Sequence, residues 1–361
     1  MTEITFTISH QSEGARTGKL LVNGQTIATP ALVYPATILE KLPASVISQL
    51  GIAAVKVAGL KWWLRFDQQQ LQAIGDLHRV LTWKKLLLVD PETKVAYQRA
   101  KARGMKKDGV RFRDQKDHLH FYQPADGQRL QEELGADLIM SFSRAVDYFA
   151  PVDDLVAGVK QSINWLPATP AEQAQTIGLI TGGGLKHPRQ HSIAAINEGK
   201  FAAAGIAGIP SDLPSTEFQR IIQEISLQLT LQPFRYLLTT VSLKQLLIAV
   251  SAGVDLIDSD LALKMAKRGI ALSQTNYGEI KLTAFQFATD QSQLEPGCGC
   301  PTCQAGYQRA YLHQLVVDRA PLGEQLLLVH NLFVMNKLMT DLRQAINTQQ
   351  LKTFCQNLQV K

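Results

Sequence analysis

Short runs of apolar residues recur along the chain, and most are followed by a segment in which apolar residues return every three or four positions. The short runs are typical of buried strands, and the longer period is that of helices with one face packed on a sheet. Strands are predicted at residues 31–36, 53–58, 86–89, 137–142, 177–181, 203–208, 235–240 and 254–258. Helices are predicted at residues 42–50, 128–134, 153–165, 192–198, 216–229 and 243–252.

This alternation predicts an α/β fold, and eight strands over this length favour a (β/α)8 TIM barrel with parallel strands. An open doubly wound sheet fits the alternation almost as well. With 361 residues, of which 45% are hydrophobic, the chain can bury a large core. One barrel-sized domain with a small appendage fits this length as well as two domains do.

Polar residues follow the predicted strands at their C-terminal ends, where barrels carry their active sites. Asp90 follows the third strand and Asp258 ends the eighth, so both carboxylates would face one mouth. Such a pair can act as nucleophile and general acid/base, although either aspartate alone is as often a helix cap or turn residue. Gly182-Gly183-Gly184 allows a ligand to approach the backbone closely, and a glycine turn without a ligand is equally consistent.

Three of the four cysteines fall within six residues, at Cys298, Cys300 and Cys303. So tight an odd cluster cannot pair internally as a disulfide framework, and the C-x-C-x-x-C spacing suits thiolate ligands of zinc. Tetrahedral zinc needs a fourth ligand, for which His330 is the first choice and His313 the competitor. Cys355 is disfavoured because it lies in a polar helix near the C-terminus.

The composition adds weaker indications. A formal charge of +6 permits a polyanionic partner such as nucleic acid without requiring one. The sequence shows no signal peptide and no run of eighteen apolar residues, so we expect a cytoplasmic protein with no membrane span.

Several segments match a known family in order along the chain. The longer ones are DGVRFR at 108–113, LGADLIMSF at 134–142, GVDLID at 253–258 and YQRAYLH at 307–313. Shorter ones are ARTG at 15–18, TP at 29–30, GG at 182–183, RYL at 235–237, HN at 330–331 and LM at 338–339. Together with the cysteine motif, they make the chain resemble the tRNA-guanine transglycosylase (queuine tRNA-ribosyltransferase) family over nearly all of its length.

The resemblance implies one barrel over residues 1–361, with a zinc-binding subdomain at 285–335 and a structural Zn²⁺. It also implies exchange of a guanine in tRNA for a 7-deazaguanine-type base, as in queuosine modification. Asp258 matches the nucleophile that forms a covalent ribosyl-enzyme, and Asp90 matches the general acid/base. A homodimer, or a heterodimer with a related subunit, is also implied. The positions that match the substrate-binding site are Ser143, Thr181, Gly182, Gly183 and Gly208.

The base pocket departs from the family pattern. Asp90 is followed by Pro91-Glu92-Thr93-Lys94-Val95 in place of Ser-Gly-Gly, an aromatic residue and Gln. Ser143 stands where the family has a base-reading aspartate, and Thr181 replaces a glutamine. Two hypotheses follow: an active transglycosylase with an altered base or polynucleotide substrate, or a non-catalytic tRNA-binding or partner subunit. A hydrolase on the same scaffold is a minor third.

A basic segment follows Asp90 and can neutralise phosphates, although a solvated helix face is equally consistent. Trp62 and Trp63 can stack on bases and are at least as consistent with core packing. The basic residues are Lys94, Arg99, Lys101, Arg103, Lys106, Lys107, Arg111, Arg113 and Lys116.

Overall fold

The computed structural model describes residues 4–100, 104–144, 146–229 and 234–358. In chain order, the strands are β1 (Ile4–Ser12), β2 (Ala15–Val22), β3 (Gln25–Thr29), β4 (Ala31–Pro35), β5 (Ala54–Ala58), β6 (Leu86–Asp90), β7 (Met105–Lys106), β8 (Gly109–Arg113), β9 (Leu119–Tyr122), β10 (Ile139–Met140), β11 (Thr176–Ile180), β12 (Ala203–Ile206), β13 (Phe234–Leu237), β14 (Leu256–Asp258), β15 (Ile270–Leu272) and β16 (Glu279–Lys281).

Eight of these strands form one parallel sheet in the order β10-β11-β12-β13-β14-β4-β5-β6. A parallel bridge between Leu88 of β6 and Leu138, just before β10, joins the two ends of this order. The sheet is therefore closed into a barrel. The prediction of a (β/α)8 barrel is confirmed, and the doubly wound alternative is wrong, because an open sheet has no such contact between its edges.

Side chains alternate between the two faces of the barrel strands, as the two-residue period of a strand requires. Ala54, Leu86, Leu88 and Leu256 belong to the cluster that fills the barrel interior. Their neighbours Val55, Leu87, Val89 and Ile257 belong to the larger cluster between the barrel and its helices. The same alternation decides which polar residues at the strand ends point inward.

The helices are, in chain order, α1 (Thr37–Lys41), α2 (Ala44–Gln49), α3 (Gly59–Arg65), α4 (Gln68–Ile74), α5 (Leu77–Val80), α6 (Thr93–Ala100), α7 (Pro124–Glu133), α8 (Val152–Asn164), α9 (Pro170–Gln173), α10 (Lys186–Glu198), α11 (Ser215–Gln228), α12 (Leu243–Ser251), α13 (Leu261–Lys267), α14 (Pro301–Gln304), α15 (Arg309–Val317), α16 (Pro321–Asn347) and α17 (Leu351–Asn357). None of the helices in the described ranges is both long and apolar enough to cross a bilayer.

Local sequence signals fix several helix starts. Ser242 caps α12 by accepting a hydrogen bond from Gln245 N at 3.2 Å, and the Gln245 side chain accepts one from Ser242 N at 2.9 Å. This reciprocal pair satisfies two backbone donors that a helix start leaves free. The helix predicted at 42–50 is divided into α1 and α2, because Pro43 keeps Leu42 extended at φ −128° and ψ 140°.

Three small sheets and a helical C-terminal region surround the barrel. The antiparallel strands β1, β2 and β3 cover its N-terminal end, where Leu20, Val22 and Ile27 pack with the interior cluster. Strands β7, β8 and β9 form a meander beside α6, and β15 pairs with β16. The C-terminal end of the barrel is left as the open mouth.

Candidate functional site

Four polar side chains reach the upper interior of the barrel because of the strand alternation. Lys56 follows the interior residue Ala54 by two positions, and Asp90, Tyr236 and Asp258 likewise follow interior residues of their own strands by two positions. Parallel strands all end at the same edge. The structure therefore brings the two predicted aspartates together at the mouth and adds a lysine and a tyrosine to them.

Asp258 is engaged at both carboxylate oxygens. Lys56 Nζ donates to Oδ2, and the Tyr236 hydroxyl donates to Oδ1. Burial raises the pKa of Asp258, while Lys56 and Tyr236 oppose that rise and the charge of Asp90 adds to it. The carboxylate is thus held in one orientation, in a place where an unpaired charge would be costly.

Asp90 lies on the other side of the same lysine. Its Oδ2 is 3.4 Å from Lys56 Nζ, and its Oδ1 accepts a hydrogen bond of 2.7 Å from Glu92 N. Glu92 has a φ of +52°, a backbone conformation that residues other than glycine seldom adopt. Burial and the charge of Asp90 raise the pKa of Glu92. Asp90 keeps 31% of its side chain exposed against 7% for Asp258, so Asp90 is the carboxylate open to solvent.

A cavity of about 690 Å³ lies directly beside Asp90 and is open at the mouth. Arg144 and Thr181 each present a buried atom, Nε and Oγ1, that has no hydrogen-bond partner. Such atoms in the wall of a cavity are donors or acceptors left for a ligand. The substrate-binding residues predicted from the sequence all line this cavity: Ser143, Thr181, Gly182, Gly183 and Gly208.

The glycine run in this wall is packed tightly against the protein itself. A Cβ on Gly182 would lie 2.7 Å from Arg189 N, and one on Gly183 would lie 2.6 Å from Leu155 Cδ2. The Gly183 carbonyl also accepts a 2.6 Å hydrogen bond from Arg189 Nη2. Internal packing is thus enough to require these two glycines, whatever the cavity binds.

The metal-binding residues predicted from the sequence also meet. The ligand atoms of Cys298, Cys300, Cys303 and His330 all lie within 4.8 Å of one another, and all four residues are buried. His330 Nδ1 is 3.8, 3.4 and 3.5 Å from the three sulfurs in that order. Ligands of a tetrahedral ion with bonds of about 2.0–2.3 Å lie about 3.5 Å apart. The donor set therefore fits one four-coordinate metal ion.

Neighbouring hydrogen bonds orient this cluster. His330 Nε2 lies 2.7 Å from the Leu272 carbonyl, which leaves Nδ1 to face the sulfurs. The next residue, Asn331, accepts from Leu272 N at 2.8 Å and donates to the Ile270 carbonyl at 2.9 Å, so α16 is fastened to β15. The competitor His313 instead contacts the Leu282 carbonyl at 2.6 Å, and neither it nor Cys355 belongs to the cluster.

Comparison with known proteins identifies the family. The model of the family "Queuine tRNA-ribosyltransferase" matches residues 11–361. The chain belongs to the queuine tRNA-ribosyltransferase family. A protein of that name from Moorella thermoacetica is 32% identical over 96% of this chain and 94% of its own length. Proteins of the same name from Blochmanniella pennsylvanica and Nitrosomonas eutropha are each 29% identical, over 95% and 97% of this chain and 95% and 98% of their own lengths.

In this member of the queuine tRNA-ribosyltransferase family, part of the basic segment borders a second cavity beside the mouth. This cavity, of about 550 Å³, is lined by Lys61, Arg65, Arg99 and Lys116 among others. Lys94 lines the larger cavity, while Lys101 and Arg103 lie outside the described residues.

The two tryptophans behave as packing residues. The Trp63 ring is 5.0 Å from Tyr122 and 6.5 Å from Phe112, and Trp62 is 5.7 Å from Phe66. Trp63 packs against the small core between α3 and the meander. The alternative interpretation of both residues as core is therefore the one that the structure favours.

Sequence reasoning missed Lys56 and Tyr236. Lys56 carried a detectable signal, since it is the one charged residue in the predicted strand at 53–58. Because it follows Ala54 by two positions, it lies on the same interior face of the strand, where a lysine requires an anionic partner. Tyr236 carried no comparable signal, because a tyrosine in a strand is usually core.

Proposed function

We propose that this chain is a tRNA-ribosyltransferase that exchanges a guanine in tRNA for a 7-deazaguanine-type base, as in queuosine modification. Family membership over residues 11–361 supports a transferase of this type. The observation that carries the proposal is the meeting of Asp90 and Asp258 at one mouth, beside a cavity of about 690 Å³.

In the proposed reaction, Asp258 attacks the ribose C1′, a bond from C1′ to the carboxylate oxygen forms, and the glycosidic bond to guanine breaks. Asp90 gives a proton to the departing base and later takes one from the incoming base. A carboxylate nucleophile divides a difficult displacement into two easier steps, as in retaining glycosidases. The more exposed carboxylate is the one assigned to proton exchange, in keeping with its place beside the cavity.

The cavity is proposed as the base-binding site, with Ser143, Thr181, Gly182, Gly183 and Gly208 in its wall. Ser143 is buried and offers a hydroxyl. The unpartnered Thr181 hydroxyl and Arg144 Nε add further polar groups. At position 143 this wall offers a hydroxyl and no carboxylate for the amide edge that guanine and 7-deazaguanines share, so slow exchange of guanine is part of the proposal.

The buried cluster of three cysteines and a histidine is proposed as a zinc site within a subdomain at 285–335. Thiolates and imidazole are the ligands that zinc prefers. When bound, zinc would be held by Cys298, Cys300, Cys303 and His330. Four protein ligands leave no position for water, so its role would be structural.

Binding to tRNA in the cytoplasm, and pairing as a homodimer or with a related subunit, complete the proposal. Light scattering of the purified protein measures the subunit number. A partner subunit without catalysis is the alternative, and it predicts that this chain forms no covalent product with RNA.

The deciding experiment is covalent trapping. The protein is incubated with unmodified bulk tRNA, denatured, and examined for a protein–RNA adduct, with a parallel assay for incorporation of labelled 7-deazaguanines. An adduct that depends on Asp258 supports the function. Absence of both adduct and incorporation, across tRNA from several sources, would overturn it.

A further inference from the structure

The buried ammonium of Lys56 lies between the two carboxylates of the mouth. Lys56 Nζ donates to Asp258 Oδ2 and is 3.4 Å from Asp90 Oδ2. Lys56 is one strand away from Asp90 and two away from Asp258 in the sheet order, so its long side chain spans the interior. Only 18% of that side chain is exposed. A lysine placed in this way is mostly shielded from solvent, and its ammonium makes ion pairs with both aspartates.

The charges of this group are arranged around Asp258. Lys56 comes from β5, Tyr236 from β13 and Asp90 from β6. The charge of Asp90 also acts on Glu92 and Tyr122. Burial alone would lower the pKa of Lys56, but the two carboxylates outweigh it and raise that pKa above its usual value. Lys56 is therefore a cation throughout the neutral range, and a poor nucleophile itself.

We propose that Lys56 is a positioning residue of the reaction, which keeps Asp258 ionised before attack and stabilises the carboxylate of Asp90 after it. This inference rests on the proposed function.

The electron and proton balance follows directly. Before attack, Asp258 is a carboxylate paired with Lys56, and Asp90 carries the proton. Attack forms the bond from Asp258 to C1′, and the electron pair of the glycosidic bond leaves with the base, which takes the proton of Asp90. The ester has no charge, so the ammonium of Lys56 is left with the new carboxylate of Asp90. One cation is paired with one anion at both stages, and Asp90 is ready to accept a proton from the incoming base.

The test compares Lys56→Met with Lys56→Arg and the wild type. Without the cation, burial raises the pKa of Asp258 further, so the acid limb of adduct formation by Lys56→Met should lie at higher pH than that of the wild type. We expect the rising limb of the pH profile to move upward by about one unit or more. Lys56→Arg keeps the charge, so its acid limb should lie at the same pH as that of the wild type, even if the rate of adduct formation is lower. A limb unchanged in Lys56→Met, with the rate reduced by the same factor at every pH, would overturn the inference.

A second readout needs no activity. In Lys56→Met, the folded-state pKa of Asp258 should lie further above its unfolded value. The variant therefore loses stability as the pH rises from the unfolded pKa through the folded one, and regains it as the pH falls back through that range. The stability gap to the wild type, measured by denaturant unfolding, should be widest near pH 8 and narrow toward pH 5. Lys56→Met/Asp258→Asn removes the unpaired charge and should be more stable at pH 8 than Lys56→Met alone, a comparison that serves even if the single variant does not fold. A gap that stays constant with pH would overturn the inference.

The two proposals fail in different ways. A wild type that forms no adduct overturns the function, and the positioning role with it. A wild type that forms the adduct beside a Lys56→Met profile of unchanged shape overturns only the role of Lys56.

Discussion

At the scale of single residues, the buried charges of the site are offset by oppositely charged or hydrogen-bonding partners. Asp258 is buried deeply enough for its charge to require partners, and it has one at each oxygen. Asp260, two residues on, makes an ion pair with Lys264 at 2.9 Å near the surface. Such a surface pair adds little to stability. The two aspartates are two residues apart, and only Asp258 is buried with a partner at each carboxylate oxygen.

Asp258→Asn should abolish adduct formation, because an amide oxygen is a far weaker nucleophile than a carboxylate. We expect a fall of about 10³-fold or more in the rate of RNA adduct formation, measured by denaturing gel electrophoresis. Asp260→Asn is the matched control and should keep a rate within about threefold of the wild type. Adduct formation by Asp258→Asn at the wild-type rate would place the nucleophile elsewhere.

Guanine exchange in tRNA should be slow in this protein beside a standard member of the family. Ser143 offers a hydroxyl where the family pattern has an aspartate, and each unpaired base hydrogen bond in a desolvated pocket costs about 1–3 kcal/mol. Ser143→Asp should therefore raise labelled-guanine incorporation by roughly 10-fold or more. Ser143→Asp/Asp258→Asn is the control, and any gain that persists in it does not pass through this site.

At the scale of elements, the sequence predicted the barrel strands well and their surroundings poorly. All eight predicted barrel strands are present, since buried parallel strands appear as short apolar runs. Helix α10, which follows β11, begins at Lys186, six residues before the predicted start. Its first turn is polar and contains Pro188, so the apolar period that predicts a helix begins later than the helix itself. The N-terminal sheet went unpredicted because β1 is mostly exposed and lacks an apolar run.

The residues of the candidate site also divide into those that the sequence could predict and those that it could not. Asp90 and Asp258 could be predicted because strand ends identify the mouth, and the cysteines because their spacing is specific. Lys56 meets Asp258 only because the last barrel strand, β14, pairs with the first, β4, whose other neighbour is β5. No local pattern carries that information.

The stability of the segment between the cysteines and the middle of α16 should depend on the proposed zinc ion. Cys303→Ser removes one ligand and should lower both the zinc content, measured by elemental analysis, and the melting temperature. If the loss costs about 3 kcal/mol, the melting temperature falls by roughly 5 °C. Cys355→Ser is the matched control, because Cys355 lies outside the cluster, and it should leave both quantities unchanged. Protein that contains no zinc as purified from zinc-supplemented cells would contradict the assignment.

At the scale of the whole molecule, the mouth and the N-terminal end of the barrel differ in character. The N-terminal end is covered by a sheet that packs apolar side chains onto the barrel interior, while the mouth is bordered by Lys61, Arg65, Arg99 and Lys116. Basic groups beside the opening can attract a phosphate backbone without reading its sequence. Selection of the substrate base is then left to the residues that line the larger cavity.

Arg99→Gln/Lys116→Gln should weaken tRNA binding and reduce its dependence on salt. Each phosphate contact contributes about 0.7–0.9 to the slope of log affinity against log salt, so the slope should become shallower by roughly 1.5. Fluorescence titrations at several salt concentrations measure it. Lys19→Gln/Lys352→Gln changes the charge equally on β2 and α17 and should leave the slope intact; equal effects of the two pairs would show that only net charge matters.

Helix α16 also joins the two extremes of the sequence. Lys41 pairs with Glu324 at 2.9 Å, Arg343 donates to the Pro30 carbonyl at 2.8 Å, and Thr17 donates to Asn347 at 2.7 Å. During synthesis, the first barrel strands are made early and α16 is made late. Until α16 is made, the apolar surface that it covers stays exposed, and chaperones generally bind surface of this kind. A message cut short before α16 should yield protein that proteases remove, rather than a barrel that lacks one helix.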